Sequence, residues 1–147
     1  MVINRSSHSV WECRYHVVWV TWRRRRALNR IEVRDFCKQE LRRIADEYEV
    51  EVESCEGDID HVHVFLSIPP QLSVGKSIGV LKSVSARFLL KRFAELREVF
   101  WSGRVWGSSY FVRSVGDGVT ADMVRQYIEN HENKSKLNTA QAELFTK

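Results

Sequence analysis

Two histidines separated by a single residue, His61 and His63, are the side chains of this sequence best suited to holding a metal ion. If Val62 lies in a β-strand, the two-residue side-chain period sends both imidazoles to one face and Val62 and Val64 to the other. Cα atoms two positions apart on a strand are about 7 Å from each other, so both rings can reach one cation at about 2.1 Å from each nitrogen. Asp58 and Asp60 add negative charge just ahead of the pair, although the same alternation points Asp60 away from His61. Taken alone, a His-x-His pattern also fits two imidazoles that rest on an exposed sheet face.

A second constellation lies near the end of the chain, where Tyr127 and His131 stand four residues apart in a segment with helical character. That spacing puts a phenol and a third potential ligand on one helix face. A phenol with an ordinary pKa of about 10 becomes a useful nucleophile only when a nearby cation favours the phenolate. A metal held by His61, His63 and His131 could polarise a phosphate while the Tyr127 hydroxyl attacks it. The resulting phosphotyrosine keeps the energy of the broken phosphodiester, so a strand end can be rejoined elsewhere without a nucleotide cofactor. Helix periodicity by itself also fits, more simply, a core tyrosine whose hydroxyl reaches solvent.

The charge pattern points the same way. Lys and Arg number 23 against 19 Asp and Glu, a net charge of +4, and Arg23, Arg24, Arg25 and Arg26 are consecutive. A run of this kind fits a polyanion partner, though solvated surface is its commoner role. Lys82 and Arg87, on a helical segment, are further candidates for phosphate contact. Trp11, Trp19, Trp22, Trp101 and Trp106 could stack on bases, or more simply fill a core or a dimer contact. The parity of His16 puts it on the face of Arg14 and Val18, where a structural histidine is expected rather than a ligand.

The elements that must position these groups follow from periodicity. Ser9 to Trp22, rich in Val, Trp and Tyr, reads as one long strand that runs into the arginines. Ile31 to Tyr48 carries Val33, Phe36, Cys37, Leu41, Ile44, Ala45 and Tyr48 at helical spacing. Val50, Val52 and Ser54 alternate with glutamates in a strand ended by Gly57-Asp58, and Ile59 to Ile68 forms the next, stopped by Pro69-Pro70. Ser73 caps a helix to about Phe93 with Val74, Ile78, Leu81, Phe88 and Leu89 as its apolar stripe. A strand from Ser109 to Val115 and a helix from Thr120 to about Asn133 complete the order, and the tail over 134–147 is polar. This order predicts an α+β fold: a ferredoxin-like antiparallel sheet with helices on one face, plus the C-terminal helix that carries Tyr127.

With 147 residues, 44% of them hydrophobic, one domain over 1–147 is expected. No apolar run approaches the roughly 20 residues of a membrane span, and the N-terminus lacks the apolar centre of a secretory signal, so a cytoplasmic protein without membrane contact is expected. Cys13, Cys37 and Cys55 lack the paired spacing of a thiolate metal site and read as buried or neutral thiols.

Several segments together resemble the single-tyrosine HUH transposases of insertion sequences, the TnpA family. They are Tyr15-His16-Val17-Val18-Trp19 followed by the basic run, Asp60-His61-Val62-His63, and Leu72-Ser73-Val74. To these are added the stretch from Leu81 to Arg87, Trp106 through Ser109-Tyr110-Phe111-Val112, and Tyr127-Ile128-Glu129-Asn130. The resemblance implies a homodimer that binds single-stranded DNA hairpins at element ends with Mg²⁺ or Mn²⁺. It also implies Tyr127 as the nucleophile that leaves a 5′-phosphotyrosine and a free 3′-hydroxyl, with His61 and His63 as metal ligands. The family commonly places Gln four residues after the tyrosine as third ligand; here that place is His131, a softer donor that would favour Mn²⁺ or another transition metal. Alternatives are a domesticated, repeat-processing relative, or a non-catalytic nucleic-acid-binding module that would leave Tyr127 and the histidine pair without a purpose. A histidine-triad or two-histidine phosphoesterase lacks its further histidines.

Overall fold

The computed structural model describes residues 4–5 and 10–115. Tyr127, His131, the helix expected from Thr120 and the polar tail lie outside the described residues. The chain divides into two compact units, Cys13–Val115 and Met1–Glu12 with Gly116–Lys147. In the second, the described part is a short ribbon in which β1 (Asn4–Arg5) pairs antiparallel with β2 (Val10–Trp11).

The Cys13–Val115 unit runs β3 (Arg14–Val20), α1 (Ile31–Glu47), β4 (Glu51–Gly57), β5 (His61–Ser67), α2 (Val74–Arg92), a short α3 (Leu96–Val99) and β6 (Phe111–Ser114). Its four strands form one antiparallel sheet in the order β4-β5-β3-β6. With a helix after the first strand and another after the third, this is the ferredoxin-like arrangement that the order of elements predicts.

The single strand expected over Ser9 to Trp22 is two strands with different partners. Val10–Trp11 belongs to the ribbon, whereas Arg14–Val20 lies at the centre of the sheet between β5 and β6. At its far end the chain leaves the ladder because Thr21, fully buried, donates its amide to the Asp60 carbonyl at 2.8 Å and its hydroxyl to the Arg25 carbonyl at 2.6 Å. Those bonds close a tight turn over Trp22–Arg24 instead of an extended run into the arginines.

Side-chain alternation builds the core. Val17 and Trp19 of β3 and Val62, Val64 and Leu66 of β5 are buried, as are Val33, Cys37, Leu41, Ile44 and Ala45 of α1 and Ile78, Leu81 and Leu89 of α2. Helix α1 packs on both α2 and β4, so the helices cover the face that carries these apolar side chains. Tyr48, expected on the buried stripe, is half exposed because α1 stops at Glu47. In β4 the register shifts between Val52 and Ser54. This bulge reverses the expected alternation: Cys55 faces Val64 in the core, and Ser54 is carried to the opposite face, across from Phe65. Burial raises the Cys55 thiol to about 11 and pushes Cys37 up further, so both stay neutral as expected.

Ser73 caps α2 by accepting the Lys76 amide at 3.2 Å. Further along the same helix, Ser85 occupies a fully buried position of the apolar stripe. Its hydroxyl accepts the indole N–H of Trp106 at 3.0 Å, and the Trp106 ring meets Trp19 edge-on at 5.9 Å between centroids. Ser85→Ala would leave a buried indole donor without its acceptor, a loss of about 1–3 kcal/mol. The expected result is a lower urea midpoint for Ser85→Ala with an unchanged m-value, against little change for Ser83→Ala on the exposed side of the helix.

Candidate functional site

The register of β3 against β5 assembles the site. Val20 lies opposite His61, Val18 opposite His63 and His16 opposite Phe65, so these six residues share the sheet face turned away from the helices. Burial along β5 alternates as the sequence predicts, with His61, His63 and Phe65 half-buried and Val62, Val64 and Leu66 buried. On the flanks the same face carries Glu56 opposite His63 and, from β6, Phe111 opposite Val18 and Arg113 opposite His16. At the far end of the face Arg14 holds Glu53 through bonds of 2.6 to 2.9 Å, which pins the bulged part of β4 to β3.

The rings of His61 and His63 meet edge-on with centroids 4.9 Å apart. Each has a partner at its inner nitrogen. Nδ1 of His61 bonds Asp60 Oδ1 at 2.9 Å, and because an ionised carboxylate only accepts, that nitrogen carries the hydrogen and Nε2 keeps its lone pair. Nδ1 of His63 lies 3.1 Å from Nε2 of His16, whose ring is stacked between His63 and Phe65 at centroid distances of 5.4 and 4.5 Å. Burial foremost, with the charges of His63 and Arg113, holds His16 below the ordinary histidine value, so its ring is neutral and able to accept from His63. In that tautomer Nε2 of His63 is also available as a donor to a metal. Asp58 Oδ2 stands 3.9 Å from Nε2 of His61.

The contact from Asp60 corrects the sequence reading, which turned this carboxylate away from His61. Strand alternation does not govern Asp60, because β5 begins only at His61 and the residues before it form a turn closed by the Asp58 amide on the His61 carbonyl at 2.8 Å. His16 is the other feature that sequence reasoning missed. Its face was legible from parity, but its pairing with His63 depends on the strand register. Among the described residues no group of three His, Cys, Asp or Glu side chains is placed to hold a metal ion. The fit within this unit is therefore a two-imidazole donor set with its orienting partners, and a third protein donor would come from elsewhere.

The basic residues divide by environment. Arg24 donates through Nε to Asp60 Oδ2 at 3.1 Å, which links the arginine run to His61 through one carboxylate. Arg23, Arg25 and Arg26 are exposed, and no carboxylate pairs with them among the described residues. Lys82 spends two donors on the carbonyls of Gly107 and Ser109, at 2.6 and 3.1 Å, and so fastens the loop ahead of β6; burial lowers its pKa. Arg87 is exposed, 5.8 Å from the centroid of Phe88. Trp19 and Trp106 belong to the core, whereas Trp101 is 67% exposed.

Comparison with known proteins follows the same lines. The family pattern described as "Transposase IS200 like" matches residues 9–131. The ISDra2 transposase TnpA of Deinococcus radiodurans is 34% identical over 125 residues, 85% of this chain and 88% of that protein. The transposase for insertion sequence element IS200 of Salmonella typhimurium is 30% identical over 131 residues, 89% of this chain and 84% of that protein. Among solved structures, a candidate transposase from Deinococcus radiodurans superposes with a TM-score of 0.71 at 33% identity, covering 86% of this chain and 96% of that one. A REP-associated tyrosine transposase bound to a REP hairpin shares the fold, with a TM-score of 0.50 at 12% identity over 91% of this chain and 75% of that one.

The bond from His61 foremost, and then that from Arg24, holds the Asp60 carboxyl below its ordinary value. Arg24→Ala should therefore raise the Asp60 midpoint while leaving it depressed, because the His61 bond remains. A carboxyl ¹³C titration reads this directly, and an unmoved midpoint would mean that the Arg24 contact is not populated in solution.

Proposed function

Because the chain belongs to the IS200-like transposase family, we propose that it is a metal-dependent, single-stranded DNA transposase in which Tyr127 cuts and rejoins DNA at hairpin-containing element ends. The observation that supports this reading is the pair of imidazoles on one sheet face, each with its inner nitrogen engaged by another side chain. His61 and His63 are two ligands for Mg²⁺ or Mn²⁺, with His131 as the third. The bound cation supplies Lewis-acid polarisation of the scissile phosphate.

The chain's own residues do the rest. In the cleavage step the Tyr127 phenolate attacks phosphorus, the phosphorus–O3′ bond breaks, and the leaving 3′-oxygen takes a proton from water, so the products are a 5′-phosphotyrosine and a free 3′-hydroxyl. Attack by a 3′-hydroxyl on that phosphotyrosine restores the phosphodiester and releases the phenol, so the bond energy is conserved through both steps. Asp60 and His16 act one layer out: they fix the ring orientation and tautomer of His61 and His63, a role whose loss typically lowers metal affinity about 10- to 100-fold. Arg23, Arg24, Arg25 and Arg26 supply positive charge for the DNA backbone. Lys82 and Arg87 extend that charge, Arg87 as an exposed cation and Lys82 mainly by holding the loop before β6. Two subunits, with the hairpin ends of the element, form the working assembly.

Incubating end-labelled hairpin DNA bearing single-stranded flanks with Mn²⁺ or Mg²⁺ tests the proposal. Wild-type protein should form a covalent adduct that survives denaturing electrophoresis, and Tyr127→Phe should form none. Chelation of the metal should abolish the adduct as well. Cleavage that persists in Tyr127→Phe would remove the nucleophile assignment. Separately, His131→Ala should weaken Mn²⁺ binding measured by calorimetry; unchanged affinity would remove only the third ligand.

A further inference from the structure

The turn that ends β3 carries an arrangement that the chemistry at His61 and His63 does not use. Arg23 and Arg24 both adopt left-handed backbone, each with φ of 53°. For residues bearing a Cβ this conformation is strained and persists only where surrounding bonds enforce it. Here they do: the buried Thr21 side chain holds the Arg25 carbonyl, and the Trp22 amide donates to the Val105 carbonyl at 2.8 Å. The consequence is that the Arg23 guanidinium lies over the Trp22 ring, 4.5 Å from its centroid, and 6.0 Å from that of Trp101. Trp22 and Trp101 themselves meet edge-on at 5.5 Å.

Trp101 is the least expected member of this group. It is 67% exposed, although Phe100 just before it and Val105 four residues after it are only 1% and 2% exposed. The short turn between those two buried residues holds a large indole outward. The Arg23 guanidinium lies beside it, Arg104 follows three residues along the chain, and both, like Arg25 and Arg26 of the basic run, are exposed and without carboxylate partners among the described residues. The neighbouring Arg24 reaches Asp60, which bonds His61, so the group borders the histidine site through two hydrogen bonds.

An exposed indole beside unpaired guanidinium groups matches one ligand chemistry well, a flat π-system carried on an anionic backbone. We propose that Trp101, braced by Trp22 and Arg23, is a stacking platform for an unpaired base of the single-stranded DNA whose phosphate is processed at His61 and His63. This assignment rests on the transposase reading for its choice of strand. Stacking is tolerant of sequence because every base has a π-face. The platform thus holds the strand next to the cleavage point without selecting its sequence.

The test uses the full chain in EDTA, so that binding is read without cleavage, and a thymidine-rich oligonucleotide carrying one 2-aminopurine. Wild type should quench the probe. Trp101→Ala should bind about 5- to 100-fold more weakly and lose the quench, and Trp101→Phe should fall between the two. Arg23→Ala should weaken binding and reduce the salt dependence by about one ion. Circular dichroism confirms that the variants are folded, as expected for an exposed position. Equal affinity and equal quenching in Trp101→Ala overturn the platform, as does a variant that binds DNA normally but self-associates less in sedimentation, since the surface would then be a protein contact. The two readings fail separately: a missing Tyr127 adduct with probe quenching intact counts against the cleavage chemistry, while adduct formation with an inert Trp101 counts against the platform.

Discussion

Pairing of β3 with β5 in one register, Val18 against His63, is the constraint on which the rest of this molecule depends. Because side chains alternate with a period of two, that register buries Val17, Trp19, Val62 and Val64 and in the same stroke sends His16, His61 and His63 to the opposite face. A one-residue slip of β5 would put His61 and His63 into the core and Val62, Val64 and Leu66 outside it. The packing energy of the core therefore specifies which sheet face carries the three histidines. Both flanking strands reinforce the choice, β6 by pairing along β3 and β4 by its bulge, which seats Cys55 against Val64.

Within that frame the histidines are oriented by groups of unlike origin. Asp60 comes from the turn before β5 and His16 from the neighbouring strand, and each engages an inner ring nitrogen. The Asp60 carboxylate is shared with Arg24, so the turn after β3 and the turn before β5 are tied together at the same point that orients His61. The strained arginines and the histidine site are in this sense one construction: the bonds of Thr21 that force the chain out of the sheet also bring Arg24 within reach of Asp60.

Much of this was legible in the sequence because it rests on local period. The apolar stripe of α1, the Ser73 cap and the shared face of His61 and His63 follow from spacing alone, and the order of elements predicts the ferredoxin-like sheet. What was hidden depends on pairing between distant segments. The bulge at Val52/Ser54 interrupts an alternation of glutamates that looks regular, and only its partner strand reveals it. Ser85 looks like a polar break in the stripe of α2 until Trp106 arrives with an N–H to satisfy. The run from Ser9 to Trp22 is uniformly strand-like in composition, yet its two halves pair with different partners. Asp60 misled for a simpler reason, since alternation was extended one residue beyond the strand in which it holds.

The chemical character of the donors bears on what the proposed site can do. Two neutral imidazoles contribute no charge, so a divalent cation between them would keep its full positive charge for an approaching phosphate, which carboxylate ligands would largely cancel. The imidazole of His131, the third donor proposed above, would preserve that balance and alter mainly the softness of the set. The one carboxylate in contact with a histidine ring, Asp60, binds the nitrogen facing away from ligand duty and has part of its charge answered by Arg24. The site thus gains the orientation that a carboxylate provides while keeping little of its repulsion toward a polyanion. The exposed arginines continue that favourable potential along the adjoining turn, so the electrostatics that would draw DNA to the surface and those that would activate its phosphate have the same sign.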